Sequence, residues 1–198
     1  MAKREILIVV GSPRPKGACA ALADEVRKGA EAAGAATHRF DLHEMDIRPC
    51  TACDACLESA DADCIIEDDM RTLYPLLRRA DALVIASPVY WFNVSAQTKL
   101  FIDRGFYAMQ GPEGSALKGK EIGLILAYGA EDLESSGGEN AIASFKDMFE
   151  FIGADIVGTV HGSTAGGDIR REKAVMEQAY QLGQRLALGC LRGGTDVS

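Results

Sequence analysis

No stretch of this 198-residue sequence has the roughly 20 consecutive apolar residues that a bilayer-spanning helix needs, so no membrane role is expected. Neither the G-x-G-x-x-G fingerprint of dinucleotide folds nor the G-x-x-x-x-G-K-[ST] phosphate loop is present. Positive charge is short: 21 Lys and Arg stand against 29 Asp and Glu, a net charge of −8. An acidic surface of that size repels polyphosphate, which excludes nucleic acid as an expected partner. The three histidines, His38, His43 and His161, are scattered with no metal-ligand spacing, and each reads as an ordinary polar residue. No Ser-His-Asp or paired-carboxylate arrangement, internal repeat, low-complexity tract or linker is visible.

What is present describes a globular chain read as one domain over residues 1–198. Its start, MAKREILIVVGSPRPKG, has basic residues before an apolar run, as a signal peptide would. The run Ile6 to Val10 is too short for that purpose, and Arg14 and Lys16 follow at once. The segment reads instead as a strand of a cytoplasmic protein. In a reducing cytosol, clustered cysteines serve as metal ligands or redox groups more often than as structural disulfides.

Short apolar runs alternate with amphipathic stretches. Strands are expected at Glu5–Val10, Thr37–Leu42, Ala82–Ala86, Glu121–Ala127 and Ile156–Val160. Helices are expected at Ala18–Ala33, from Asp68 to about Ala80 with a kink at Pro75, and at Ala96–Phe106, Asn140–Ile152 and Ile169–Leu191. Five apolar strands separated by helices predict an α/β fold: a doubly wound parallel sheet covered on both faces. Right-handed crossovers suit the flavodoxin-like strand order 2-1-3-4-5, with ligands at the carboxyl ends of strands one, three and four. A cysteine-rich loop, residues 49–65, follows strand two.

The loop Gly11-Ser-Pro-Arg-Pro-Lys-Gly17 joins the first strand to the first helix. Helix-start N–H groups, the Ser12 hydroxyl and the Arg14 guanidinium would suit a single phosphate monoester. From the loop alone, a Gly/Pro-rich turn with solvated charges is an equal reading. Together with Ser87-Pro-Val-Tyr-Trp-Phe-Asn-Val-Ser-Ala-Gln-Thr-Lys-Leu-Phe-Ile-Asp-Arg104, however, the loop resembles the NADPH-dependent FMN reductase family of flavodoxin-like proteins. With the cysteine run between these motifs, the chain looks like the iron–sulfur flavoproteins within that family.

The resemblance implies an FMN phosphate held by Ser12, Arg14, Gly17 and the residues opening the first helix, Ala18 and Cys19. The family commonly carries Asn and Thr or Ser at those last two positions, so backbone N–H groups would carry more of the binding here and affinity would be lower. It also implies a flavin wall from Pro88, Val89, Tyr90, Trp91 and Phe92, with Asn93 hydrogen-bonding the ring, and Tyr128 and Gly129 bordering the far side. A flavin needs a flat wall and donors toward its pyrimidine edge, where negative charge develops on reduction. Unaided, an aromatic cluster that merely packs is an equal reading of that stretch.

Four of the six cysteines, Cys50, Cys53, Cys56 and Cys64, fall within fifteen residues in a C-x2-C-x2-C-x7-C pattern. Turns at i, i+3 and i+6 present three sulfurs to one centre, and the spacing matches the compact motif of iron–sulfur flavoproteins, implying one [4Fe–4S] cluster. Metal-free redox thiols, zinc and disulfides are the alternatives. Asp54, Glu58, Asp61 and Asp63 would add negative charge and favour a low potential. Cys190 reads as a buried small hydrophobe; Cys19 reads the same way, although a helix start would lower its pKa.

The leading expectation is therefore an FMN- and cluster-containing electron-transfer enzyme, linking a two-electron partner to a one-electron carrier such as ferredoxin or to a small-molecule acceptor. NAD(P)H is the candidate donor, and the resemblance implies a homo-oligomer, dimer or tetramer. The alternatives are an NAD(P)H-dependent FMN or quinone reductase without a cluster, and a non-catalytic module with a structural cysteine loop.

Overall fold

The structure, a computed structural model, describes residues 3–59, 63–112 and 114–189. Strand β1 (Glu5–Val10) leads through the Gly11–Gly17 loop into helix α1 (Ala18–Ala32), and β2 is Ala36–Asp41. A short 3-10 turn at Leu42–Glu44 precedes the cysteine segment, a second at Ala55–Leu57 lies within it, and α2 follows at Met70–Arg79. Next come β3 (Ala82–Tyr90), β4 (Asn93–Val94), α3 (Ala96–Ala108) and a two-strand ribbon, β5 (Gln110–Gly111) with β6 (Gly114–Ser115). The chain continues through β7 (Glu121–Tyr128), α4 (Leu133–Ser136), α5 (Gly138–Ile152), β8 (Asp155–Ser163), a 3-10 turn at Ile169–Arg171 and α6 (Lys173–Leu188).

The main sheet runs β2-β1-β3-β7-β8, all parallel, with β4 folded back antiparallel on β3. This is the expected doubly wound order. Alternation along β1 shows why its residues are apolar without a break. Ile6, Ile8 and Val10 pack toward α1 and α6, whereas Leu7 and Val9 pack toward α2, α3 and α5. A strand covered on both faces has no side that tolerates charge.

Several boundaries differ from expectation for identifiable reasons. β3 extends four residues past Ala86, because β7 pairs with it as far as Pro88 and β4 pairs at Val89 and Tyr90. Pro88 is tolerated because Ala86 O accepts from Gly11 N, so residues 86 and 88 point toward the flank where β1 has already ended. α2 runs on through Pro75, which lies in its second turn and costs only one early helical hydrogen bond. The final helix starts at Lys173 after the 3-10 turn; Cys190 and Leu191 lie outside the described residues.

Helices α1 and α6 approach backbone to backbone. A Cβ on Gly29 would lie 2.0 Å from the Tyr180 carbonyl oxygen, and one on Gly183 would lie 2.0 Å from that of Val26. Two glycines thus set the spacing of one whole helical layer. Among the described residues, no helix is long and apolar enough to cross a membrane.

Candidate active site

The carboxyl ends of β1, β3 and β7 enclose a cleft of about 300 Å³. Ser12, Arg14, Gly17, Ala18 and Cys19 line it from the first loop, Pro88, Val89 and Tyr90 from β3, and Tyr128 and Gly129 from the end of β7. Ala127 and Thr164 complete the wall. Thr164 escapes sequence reasoning because it follows β8; it is held there by its N–H and hydroxyl, which both donate to the Tyr128 carbonyl at 2.7 and 2.9 Å.

The first loop is built for close approach. Gly11 has no room for a side chain: a Cβ there would lie 1.9 Å from Thr98 Oγ1. Ser95 at the start of α3 donates its hydroxyl to the Gly11 carbonyl at 2.6 Å and accepts from the Thr98 N–H at 3.2 Å. Ser12 Oγ accepts from the Arg14 N–H, and Gly17 caps α1 without any side-chain acceptor. The opening N–H groups of α1 therefore face the cleft without a side-chain cap, which is the arrangement that receives a phosphate. Open space around Gly129 leaves room for a flat ring beside it. The residues present fit an FMN.

Cys19 does not act as an activated thiol here. Burial pushes its pKa up to about 12, outweighing backbone hydrogen bonds at Ala127 and at Cys19 itself, and it packs with the α1 core. Packing, not reactivity, is its role.

Trp91, Phe92 and Asn93 do not line this cleft. Trp91 and Phe92 form the two-residue tip between β3 and β4, with φ of +49° and +64°. Both positions favour Asn or Gly, and bulky side chains there are strained. Trp91 is 94% exposed, whereas Phe92 lies against Gly137, where an added Cβ would come within 2.3 Å of it. Asn93 turns its Oδ1 onto the Val94 N–H. On the opposite side, Tyr128 Oη lies 3.0 Å from His161 Nδ1, a pairing invisible in sequence because the two sit on adjacent strands. Burial, then the charge of Asp132, raises the Tyr128 phenol.

The cysteine segment is a separate construction on the other layer. Ala52 and Asp54, each between two cysteines, adopt left-handed φ of +51° and +59°. These turns curl the loop so that Ala52 N–H donates to Cys50 Sγ at 3.4 Å. The Ala55 N–H, then the Thr51 hydroxyl, lower the pKa of the exposed Cys53. Cys56 is raised by burial first and by the neighbouring charge of Cys64, Cys50 and Cys53, so the four sulfurs share one neighbourhood. Among the described residues, no three His, Cys, Asp or Glu side chains are gathered closely enough to hold a single metal ion. Four thiols on one curled loop with N–H donors at sulfur are, by donor chemistry, suited to a polynuclear iron–sulfur group. Asp61 lies outside the described residues.

Helix α3 joins the two constructions. Ser95 and Thr98 brace Gly11 at its start; near its end, Tyr107 donates to Asp54 at 2.5 Å and Arg104 holds the base of the cysteine loop. Thr98 and Arg104 are six residues apart, about 9 Å along the axis at 1.5 Å per residue.

Comparison with known proteins follows the same division. Residues 4–167 match the NADPH-dependent FMN reductase family. An iron–sulfur flavoprotein of Archaeoglobus fulgidus is 32% identical over 181 residues, covering 90% of this chain and 77% of that protein. Another, from Methanocaldococcus jannaschii, is 30% identical over 192 residues, covering 92% and 95%. Among solved structures, an NAD(P)H:quinone oxidoreductase from Methanothermobacter marburgensis superposes with a TM-score of 0.71 at 20% identity, covering 93% and 98%. An archaeal flavodoxin superposes with a TM-score of 0.58 at 12% identity, covering 93% and 96%. These two likenesses establish the fold.

Proposed function

The chain belongs to the NADPH-dependent FMN reductase family and is an FMN-dependent oxidoreductase; we propose that it passes electrons between a two-electron donor and a one-electron carrier through FMN and a [4Fe–4S] cluster. One observation carries this reading: a single helix, α3, supports the FMN cleft at one end and the four-cysteine loop at the other. The reading of the chain as a non-catalytic binding module is set aside by family membership.

When bound, FMN supplies two-electron and one-electron chemistry, and an iron–sulfur cluster supplies one-electron steps. The protein's own part is positioning. Ser12, Arg14 and the opening N–H groups of α1 would hold the phosphate, with no second cation needed for a monoester. Tyr90 and Tyr128 would flank the ring, and the Pro88–Tyr90 backbone at the end of β3 would face its polar edge. Cys50, Cys53, Cys56 and Cys64 would ligate the cluster. NAD(P)H suits the role of two-electron donor. A ferredoxin or a small-molecule acceptor suits the other side. Exposed Trp91 and Phe151 leave apolar surface for assembly into a homo-oligomer.

Anaerobic purification tests the proposal. Flavin and about four irons with matching sulfide per chain are expected after reconstitution. Flavin without iron would instead establish the second reading, an NAD(P)H-dependent reductase lacking a cluster.

A further inference from the structure

Arg104 is the largest wholly buried side chain among the described residues, and its charge is enclosed with Asp68. Such a pair is a weak source of stability, since desolvation offsets most of the attraction. The balance is poorer still here, because the buried Arg104 Nε has no hydrogen-bond partner among the described residues. What the pair supplies is geometry. Nη1 donates to the Arg48 carbonyl and to the Asp68 carboxylate, both at 2.6 Å. Nη2 donates to the other Asp68 oxygen and to the Tyr74 hydroxyl, both at 3.2 Å.

The two ends of the cysteine loop meet at this point. Asp68 accepts from the Arg48 N–H at 2.9 Å, and the Arg48 guanidinium donates to the Glu67 carbonyl. One step outward, the Asp69 carboxylate accepts from the Asp46 N–H at 2.7 Å, and the Asp69 N–H donates to the Asp46 carbonyl at 3.1 Å. Ile47 packs into the core beside them, and Asp68 also accepts from the Met70 N–H at the start of α2. None of these bonds uses a sulfur. The fold itself therefore closes the base of the loop.

Arg48 precedes Cys50 by two residues and Asp68 follows Cys64 by four. At about 3.3–3.6 Å per extended residue, the backbone at Cys50 stays within about 7 Å of the closed base, and that at Cys64 within about 14 Å. An untied chain would lose its loop-closure entropy only on gathering a cluster. Here that entropy is lost on folding instead.

We propose that Arg104 and Asp68 are a positioning clamp: by closing the base of the loop they hold Cys50 and Cys64 within reach of one cluster and slow its loss. This rests on the cluster reading given above. Nothing in the pattern of cysteines points to it, because Arg104 lies on α3, 36 residues beyond Asp68.

The test reconstitutes FMN-loaded protein with ferrous iron and sulfide under anaerobic conditions, then follows iron release to bipyridyl by absorbance. Arg104→Lys keeps the charge but loses the fork that reaches Arg48 and Asp68 together. Gly183→Ala is the control, because it strains the α1–α6 contact on the opposite face of the sheet. Arg104→Lys should release iron about tenfold or more faster than wild type, the usual penalty for losing an outer partner of a metal site, with FMN per chain unchanged. Gly183→Ala should release it at the wild-type rate even if its melting temperature falls as far. Equal release from the two variants would reduce Arg104 to a stabilising residue and overturn the inference. Should Arg104→Lys not fold, Asp69→Ala decides. Its side chain is exposed and makes no cap bond to α2, so the tie to Asp46 is what it loses. Release should quicken there too, and an unaltered rate would overturn the clamp alone. A wild type that takes up no iron would overturn the cluster reading and this inference with it.

Discussion

Arg104 and Asp68 form an ion pair at 2.6 Å in which the side chains are 1% and 0% exposed. The carboxylate also accepts from the Arg48 and Met70 N–H groups at 2.9 and 3.1 Å, so its lone pairs are well occupied. Removing one partner leaves a buried charge with too few acceptors. Asp68→Asn should therefore cost about 3–5 kcal/mol in urea denaturation. Lys99→Ala, which removes an exposed i,i+4 pair with Asp103, should cost about 1 kcal/mol or less. Equal effects would mean that the buried pair is solvated.

The same carboxylate makes stability depend on pH. Burial works to raise the Asp68 pKa, but the hydrogen bond from Arg104 and the Arg48 and Met70 N–H groups hold it below its usual value. A depressed carboxyl stabilises the fold above the unfolded value, about 3.9, and loses that contribution as pH falls through the folded one. Wild type and Asp68→Asn should therefore differ most in urea midpoint near neutrality and converge as the pH drops below about 4. A constant gap would refute this assignment.

Ser12→Ala combined with Arg14→Ala tests the phosphate end of the cleft. A hydrogen bond to a charged group contributes about 1.5–3 kcal/mol, so FMN should bind the double variant roughly tenfold or more weakly. Quenching of flavin fluorescence on titration reads the affinity. Unchanged binding would place the phosphate elsewhere.

Thiol chemistry separates the cysteines. In iron-free protein, Cys53 is exposed with a lowered pKa, Cys56 is buried and raised, and Cys19 is raised to about 12. Iodoacetamide at mildly alkaline pH should label Cys53 first and Cys19 last, as followed by peptide mass spectrometry. Early labelling of Cys19 would contradict its buried placement.

Gly183→Ala probes the contact between α1 and α6. The added methyl would meet the Val26 carbonyl, and overpacking of that kind costs about 1–3 kcal/mol or more. The melting temperature should fall while the spectrum of bound flavin stays as it was. A neutral substitution would show that the helices separate without penalty.

Much of the architecture was legible because it is written in local order. Apolar runs such as Ile6–Val10 and Ile122–Ala127 can only be doubly buried strands, and the helices between them require parallel pairing. The loop that lines the cleft was legible for the same reason, since Gly11 to Cys19 is contiguous in the chain. The aromatic stretch was harder. Tyr90 lines the cleft and Trp91 does not, because the strand reverses at Trp91, and the reversal depends on pairing of β3 with β4.

Residue types and their spacing thus determined the layers, the strand order, the location of the cleft and the set of four thiols. Tertiary structure alone decided which charges are enclosed, that His161 meets Tyr128, that two glycines bring α1 against α6, and that Arg104 reaches Tyr74. The physical reason is range. Periodicity and turn chemistry act over a few residues, whereas a hydrogen bond between residues thirty or more positions apart exists only after the sheet has set the register of everything packed on it.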